Sequence, residues 1–189
     1  MSILPRLLVL SDLWGTSKID WFEPCKVTLE GLYEVVFLDS RKLAGISEDI
    51  TNEKAIHHEF INGGIETAVD ELVRNYRECS TIFGVSVGGT IGWRALNSGL
   101  KARHFHTISA TRLRFETSKP QTSIQLYYGE DDLNRPKDDW FEEMDISCRL
   151  ISGGHDIYQI PLLIQFVSNQ IWNQLPNDDP TKRIVLKRK

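Results

Sequence analysis

TIFGVSVGGTIGW, residues Thr81–Trp93, places one serine, Ser86, between Gly84 and Gly88, with Gly89 directly after. An apolar β-branched run leads into the serine and a helix-like run leaves it. Two readings compete. The glycines can mark a tight turn that happens to contain a serine. Alternatively, they can leave room for a sharp strand-to-helix corner that pushes the Ser86 hydroxyl out, because glycine has no Cβ to clash there. On the second reading the helix after the corner begins with free backbone N–H groups and the positive end of its dipole. Both favour negative charge beside the serine, so the Val87 N–H is a candidate oxyanion donor.

The rest of the chain supplies the setting. Short apolar runs at Leu7–Leu10, Tyr33–Leu38, Thr81–Val85, His104–Ser109, Ser123–Tyr128 and Cys148–Ser152 read as six strands buried on both faces. Helices are expected between them at Trp21–Leu32, Ile65–Tyr76, Thr90–Asn97, Asp138–Met144 and Ile160–Leu175. In Ile65–Tyr76 the residues Ile65, Val69, Leu72, Val73 and Tyr76 share one face. Strand–helix alternation implies an α/β fold, a three-layer α/β/α sandwich around a mostly parallel six-stranded sheet. Chemistry in such sheets gathers at the carboxyl ends of the strands, where Ser86 sits.

A serine hydroxyl is a weak nucleophile until a base takes its proton. Of the histidines at 57, 58, 104, 106 and 155, only His155 follows the last strand on a glycine-containing loop, in LISGGHDIY. His104 and His106 lie in a strand pattern and read as core or face residues. His57 and His58 sit in a polar segment and read as surface residues or reserve candidates. The base needs an acid to hold its tautomer. LYYGEDDLNRP offers Glu130, Asp131 and Asp132 just past the fifth strand, on a loop expected beside that of His155.

Serine, acid and histidine in this order, each past a strand, resemble a small lidless α/β-hydrolase over roughly Leu7 to Leu175. The GxSxG elbow of that family matches Gly84-Val85-Ser86-Val87-Gly88, and Gly89 completes the frequent extra glycine. The resemblance implies Asp132 as the acid, through its spacing from Gly129 and Pro136, with Asp131 as understudy. It implies His155 as the base after Gly153-Gly154. Many relatives carry His-Gly after the first strand; here Ser11-Asp12-Leu13-Trp14-Gly15 stands in its place, so the second oxyanion N–H is expected from Leu13 or Trp14. An acid at Asp12 could repel the oxyanion. Only about a dozen residues, Ala110 to Thr122, separate the fourth and fifth strands, which leaves no room for a helical lid.

Composition narrows the class. The 189 residues fit one domain, expected over residues 1–175, followed by a basic tail over 176–189. The last nine residues, TKRIVLKRK, hold five basic side chains and no acid. Against an overall charge of −4, the remainder therefore carries −9. An acidic body is a poor nucleic-acid binder, and the tail reads as a solvated chain end rather than an anion contact. Cys25, Cys79 and Cys148 form neither a disulfide framework nor a zinc pattern, which makes a reducing cytoplasm the default. MSILPRLLVLSD is too short and too interrupted for a signal peptide, and no run approaches a membrane span. A phosphate loop at Gly84–Gly89 lacks the lysine and the spacing that role needs.

The expectation is a serine hydrolase acting on a small ester or thioester, with no cofactor or metal and no nucleic-acid or membrane partner. The alternative is a binding or scaffold protein carrying the same residues idle.

Overall fold

The computed structural model describes residues 4–175; the basic tail lies outside the described residues. Six strands form one sheet: β1 (Arg6–Leu10), β2 (Glu34–Leu38), β3 (Glu78–Val85), β4 (Lys101–Ile108), β5 (Ser123–Gly129) and β6 (Cys148–Ile151). Their order is β2-β1-β3-β4-β5-β6, and every neighbouring pair is parallel. The sheet is thus wholly rather than mostly parallel.

Alternation along each strand divides the core. Leu8 and Leu10 of β1, Ile82 of β3, Phe105 of β4 and Tyr128 of β5 face one helical layer, formed by α2 (Ser40–Leu43), α3 (Glu53–Glu59), α4 (Ile65–Asn75), α5 (Val87–Asn97) and α6 (Asp138–Glu143). Leu7, Val9, Phe83, Val85, Ile108 and Tyr127 face the other, formed by α1 (Glu23–Glu30) and α7 (Pro161–Asn173). Continuous apolar runs such as LLVL satisfy both layers at once, which is why they read as doubly covered strands.

Several boundaries differ from expectation for identifiable reasons. The helix expected at Trp21–Leu32 begins as a short 3-10 turn, Asp20–Phe22, and becomes α-helical only at Glu23, with Pro24 in its first turn. Strands β3 and β4 start three residues earlier than their apolar runs, because Glu78 and Lys101 pair at an exposed sheet end. Helix α5 starts at Val87, not Thr90, with Gly88 and Gly89 inside its first turn. Helices α2 and α3 were not expected. Both are capped by short polar side chains: Asp39 accepts from Arg41 and Lys42 N–H, and Asn52 accepts from Ala55 N–H.

Residues 109–122, between β4 and β5, contain a single 3-10 turn, Leu113–Phe115. No helical cap covers the strand ends among the described residues. Between β1 and β3 the sheet order reverses, so the connections leaving their carboxyl ends run to opposite faces of the sheet, at a switch point of the kind that hosts sites in open α/β sheets.

Candidate active site

The switch point is occupied by Ser86. It follows β3 directly and precedes the first residue of α5, and its backbone is held at φ 51° and ψ −124°. A non-glycine residue in this region carries about 1–3 kcal/mol of strain, which persists only where the surroundings enforce it. They do so here. Ser86 N–H donates to Ile108 O at 3.0 Å, and Ser86 O accepts from Gly89 N–H at 3.1 Å. The corner also presses onto β1: a Cβ at Gly88 would collide with the Leu10 and Ser11 carbonyls. Gly84 and Gly88, on either side of Ser86, are therefore demanded by close backbone approach.

Ser86 Oγ lies 3.0 Å from His155 Nε2, and His155 Nδ1 lies 3.0 Å from Asp132 Oδ2. Three residues from three strand ends thus form one hydrogen-bonded chain. The acid and base loops are joined through their backbones. Glu130 N–H donates to Ile151 O at 2.9 Å and Asp131 N–H to Gly153 O at 3.0 Å. Gly129 permits this, since a Cβ there would strike the carbonyl oxygens of Gly153 and Gly154. His155 does not sit on an irregular loop. It is the first residue of a 3-10 turn, His155–Gln159.

The Asp132 side chain is fully buried, and burial alone would raise its pKa. Hydrogen bonds from His155 and from the Asn134 N–H, with the His155 charge, outweigh burial and hold the carboxyl below its ordinary value. Its second oxygen, Oδ1, accepts from Asn134 N–H at 2.8 Å. Asp131 is exposed and points no oxygen into this chain of contacts. His57 and His58 are exposed on α3, away from the strand ends. His106 is buried and lies 2.9 Å from Gln174 Oε1 through its Nε2, a structural role.

Of the expected oxyanion donors, Val87 N–H opens α5 and has no intrahelical acceptor. Trp14 requires a correction. Its N–H donates to Asp12 Oδ1 at 2.9 Å, so it is already spent; the Asx-type bend after β1 was not visible in the residue pattern. Leu13 N–H makes no hydrogen bond among those found in the described residues. Asp12 is 2% exposed, and its other oxygen accepts from the Tyr158 hydroxyl at 3.1 Å. Burial raises the Asp12 pKa, opposed by the bonds from Trp14 and Tyr158 and by Lys18. Burial and the Asp12 charge likewise push the Tyr158 hydroxyl up, so it remains a donor. Tyr158 was missed in the sequence, although it stands three residues after His155 in the same turn.

A cavity of about 400 Å³ opens on the Asp12 side, lined by Asp12, Lys18, Trp21 and Gln159 among others. Another of about 600 Å³, between the end of β2 and α4, touches none of Ser86, Asp132 and His155. Among the described residues no group of three or more His, Cys, Asp or Glu side chains could hold a metal ion, and no helix is long and apolar enough to cross a membrane.

No protein-family model and no curated protein matches the sequence. Solved structures do match in fold. A predicted CIB-like hydrolase of Thermoplasma acidophilum is similar at 17% identity and a TM-score of 0.61, covering 89% of this chain and 86% of its own. An α/β serine hydrolase without a lid from Xanthomonas campestris matches at 13% identity and 0.54, over 95% and 86%. The type II thioesterase BorB of the borrelidin biosynthetic cluster matches at 13% and 0.59, over 93% and 92%. The chain has the α/β-hydrolase fold, without a cap domain among the described residues.

Proposed function

We propose that the protein is a serine hydrolase that cleaves a small ester or thioester through an acyl-enzyme. The observation that carries this reading is the unbroken chain Asp132–His155–Ser86, ending on a serine in a strained corner at the start of a helix.

In this mechanism His155 Nε2 takes the Ser86 proton as Oγ attacks the substrate carbonyl. Asp132 accepts from Nδ1–H, fixes the tautomer and stabilises the imidazolium. The tetrahedral oxyanion is met by the N–H groups of Val87 and Leu13, at the positive end of α5. Collapse expels the alcohol or thiol, which leaves with the proton from His155. A water molecule then repeats the sequence on the acyl-enzyme, releasing the acid and restoring Ser86.

A small ester or thioester fits strand ends that no helical cap covers among the described residues. The thioesterase among the fold neighbours is consistent with this, as an analogy of fold only. Free thiols at Cys79 and Cys148 fit a reducing, cytoplasmic compartment. The idle-scaffold reading draws on one observation, the buried acid Asp12 beside the oxyanion loop. Hydrolysis of p-nitrophenyl esters of increasing acyl length and of matching acyl thioesters, with wild type beside Ser86→Ala, decides between them. The hydrolase reading expects short acyl groups to turn over and Ser86→Ala to lose that activity. Equal rates in the two proteins would favour the scaffold.

A further inference from the structure

Asp12 and Tyr158 lie 146 residues apart in sequence and meet beside His155. Asp12 is the second residue after β1 and belongs to the segment that presents Leu13. Tyr158 belongs to the 3-10 turn that begins with His155. Its ring stands edge-on to the His155 imidazole, with centroids 6.1 Å apart at 80°, and edge-on to Trp21 on the other side, 6.3 Å apart at 84°. The tyrosine is therefore wedged against the base, and its hydroxyl is tied to the segment that carries an oxyanion amide.

Anchoring that segment to the fold does not need Asp12. Ser11 and Ser40 already do so: Ser40 N–H donates to Ser11 Oγ at 2.9 Å, and Ser40 Oγ donates to Ser11 O at 2.6 Å. Burying a carboxylate at Asp12 is costly. The cost is offset only because both oxygens are used, one by Trp14 N–H and one by the Tyr158 hydroxyl. Lys18 adds a nearby positive charge, its Nζ 3.7 Å from the centroid of the Trp14 ring. A carboxylate accepts from both groups as they stand, whereas an amide could keep both contacts only if the Tyr158 hydroxyl turned to accept.

We propose that the Asp12 carboxylate and the Tyr158 hydroxyl form a strut that holds the His155 imidazole in register with the oxyanion amides, making both of them positioning residues. The inference rests on the acyl-transfer reading for its kinetic consequence, but not for its geometry. Acyl transfer needs base and oxyanion donors fixed relative to each other, and His155 and Leu13 come from opposite ends of the chain. The buried hydrogen bond from Tyr158 to Asp12 joins their two segments. The other Asp12 oxygen, Oδ1, takes the Trp14 N–H, which leaves the Leu13 N–H as the amide available to substrate.

The test is a double-mutant cycle of Tyr158→Phe and Asp12→Ala, with Tyr76→Phe as control. Turnover of p-nitrophenyl acetate is read beside the downfield imidazole N–H proton resonance of the His155–Asp132 pair. Tyr158→Phe keeps the ring and removes the strut, so kcat should fall about tenfold with KM little changed, as expected for a base displaced by a fraction of an ångström. The imidazole resonance should shift or broaden in step, while Tyr76→Phe changes neither. Asp12→Ala should cost at least as much, since it removes the acceptor of both the Trp14 N–H and the Tyr158 hydroxyl. When Asp12→Ala is already present the strut is gone, so adding Tyr158→Phe should leave the double variant no worse than Asp12→Ala alone. An unmoved resonance in Tyr158→Phe overturns the strut, as does a double variant whose losses simply add. The resonance decides the matter even if wild type turns over no ester, an outcome that would count against the hydrolase reading instead.

Discussion

Replacing Asp132 with asparagine exchanges one oxygen for an NH₂ in a fully buried side chain, yet the geometry around it predicts a large loss. Asp132 Oδ1 is held by Asn134 N–H at 2.8 Å, and Oδ2 faces His155 Nδ1 at 3.0 Å. In Asp132→Asn the amide oxygen keeps the Asn134 N–H, because the NH₂ cannot face a donor there. The NH₂ then faces His155 Nδ1 and donates to it. His155 is forced into the tautomer protonated at Nε2, with its proton pointing at Ser86 Oγ, 3.0 Å away. The base is blocked without being moved. A wrong tautomer of this kind costs about 10⁴ in kcat, or about 5.5 kcal/mol at 1.36 kcal/mol per tenfold. Stopped-flow hydrolysis of p-nitrophenyl acetate gives kcat, and thermal melting checks that the fold survives. Asp131→Asn, at an exposed side chain, should change kcat less than about twofold, in line with other surface substitutions. A loss below tenfold in a folded Asp132→Asn, or a larger loss in Asp131→Asn, would refute this account of the acid.

Other expectations follow from single contacts. Gly129→Ala drives a Cβ into the Gly153 and Gly154 carbonyls and must part the acid and base loops; kcat should fall by about 10² or more, and a wild-type kcat would show that the loops need not touch. Burial pushes the His106 imidazole down to about 4 from 6.5, so the unfolded chain binds a proton that the folded one refuses. Stability from this group is complete above pH 6.5 and drains away as pH falls toward 4, by about 3 kcal/mol; denaturant titrations of His106→Gln should show a flatter acid slope than wild type, and equal slopes would contradict it. Trp93 is fully buried against Phe105 and Trp140, and its indole N–H donates to Ser118 O at 3.1 Å. Trp93→Ala should therefore cost about 3–5 kcal/mol in urea unfolding, and a loss under about 1 kcal/mol would mean that the site is not packed as described.

The sheet was readable because runs such as LLVL and IFGV must fill two core layers and so carry no polar interruption. The corner was readable because Ser86 stands among glycines at the end of such a run. What escaped was set by contacts distant in sequence or by backbone capping. EKAIHHE shows little apolar periodicity, since Ile56 is its one buried side chain; its start was signalled only by Asn52, the residue that caps it. The first turn of α5 hid behind Gly88 and Gly89, poor helix formers kept there by the approach of β1 at Gly88 and of the Thr107 and Ala110 side chains at Gly89. The spent amide of Trp14 and the tie from Asp12 to Tyr158 depend on where a side-chain oxygen points, which spacing does not encode.

The most direct test of the central claim, that Ser86 is activated by His155, is peptide mass mapping after treatment with a fluorophosphonate, which phosphonylates only an activated serine. The account predicts one adduct on the peptide containing Ser86 in wild type, none in Ser86→Ala, and labelling slowed by orders of magnitude in His155→Ala. Absence of an adduct in folded wild-type protein, or an adduct on another serine that persists in Ser86→Ala, would contradict it.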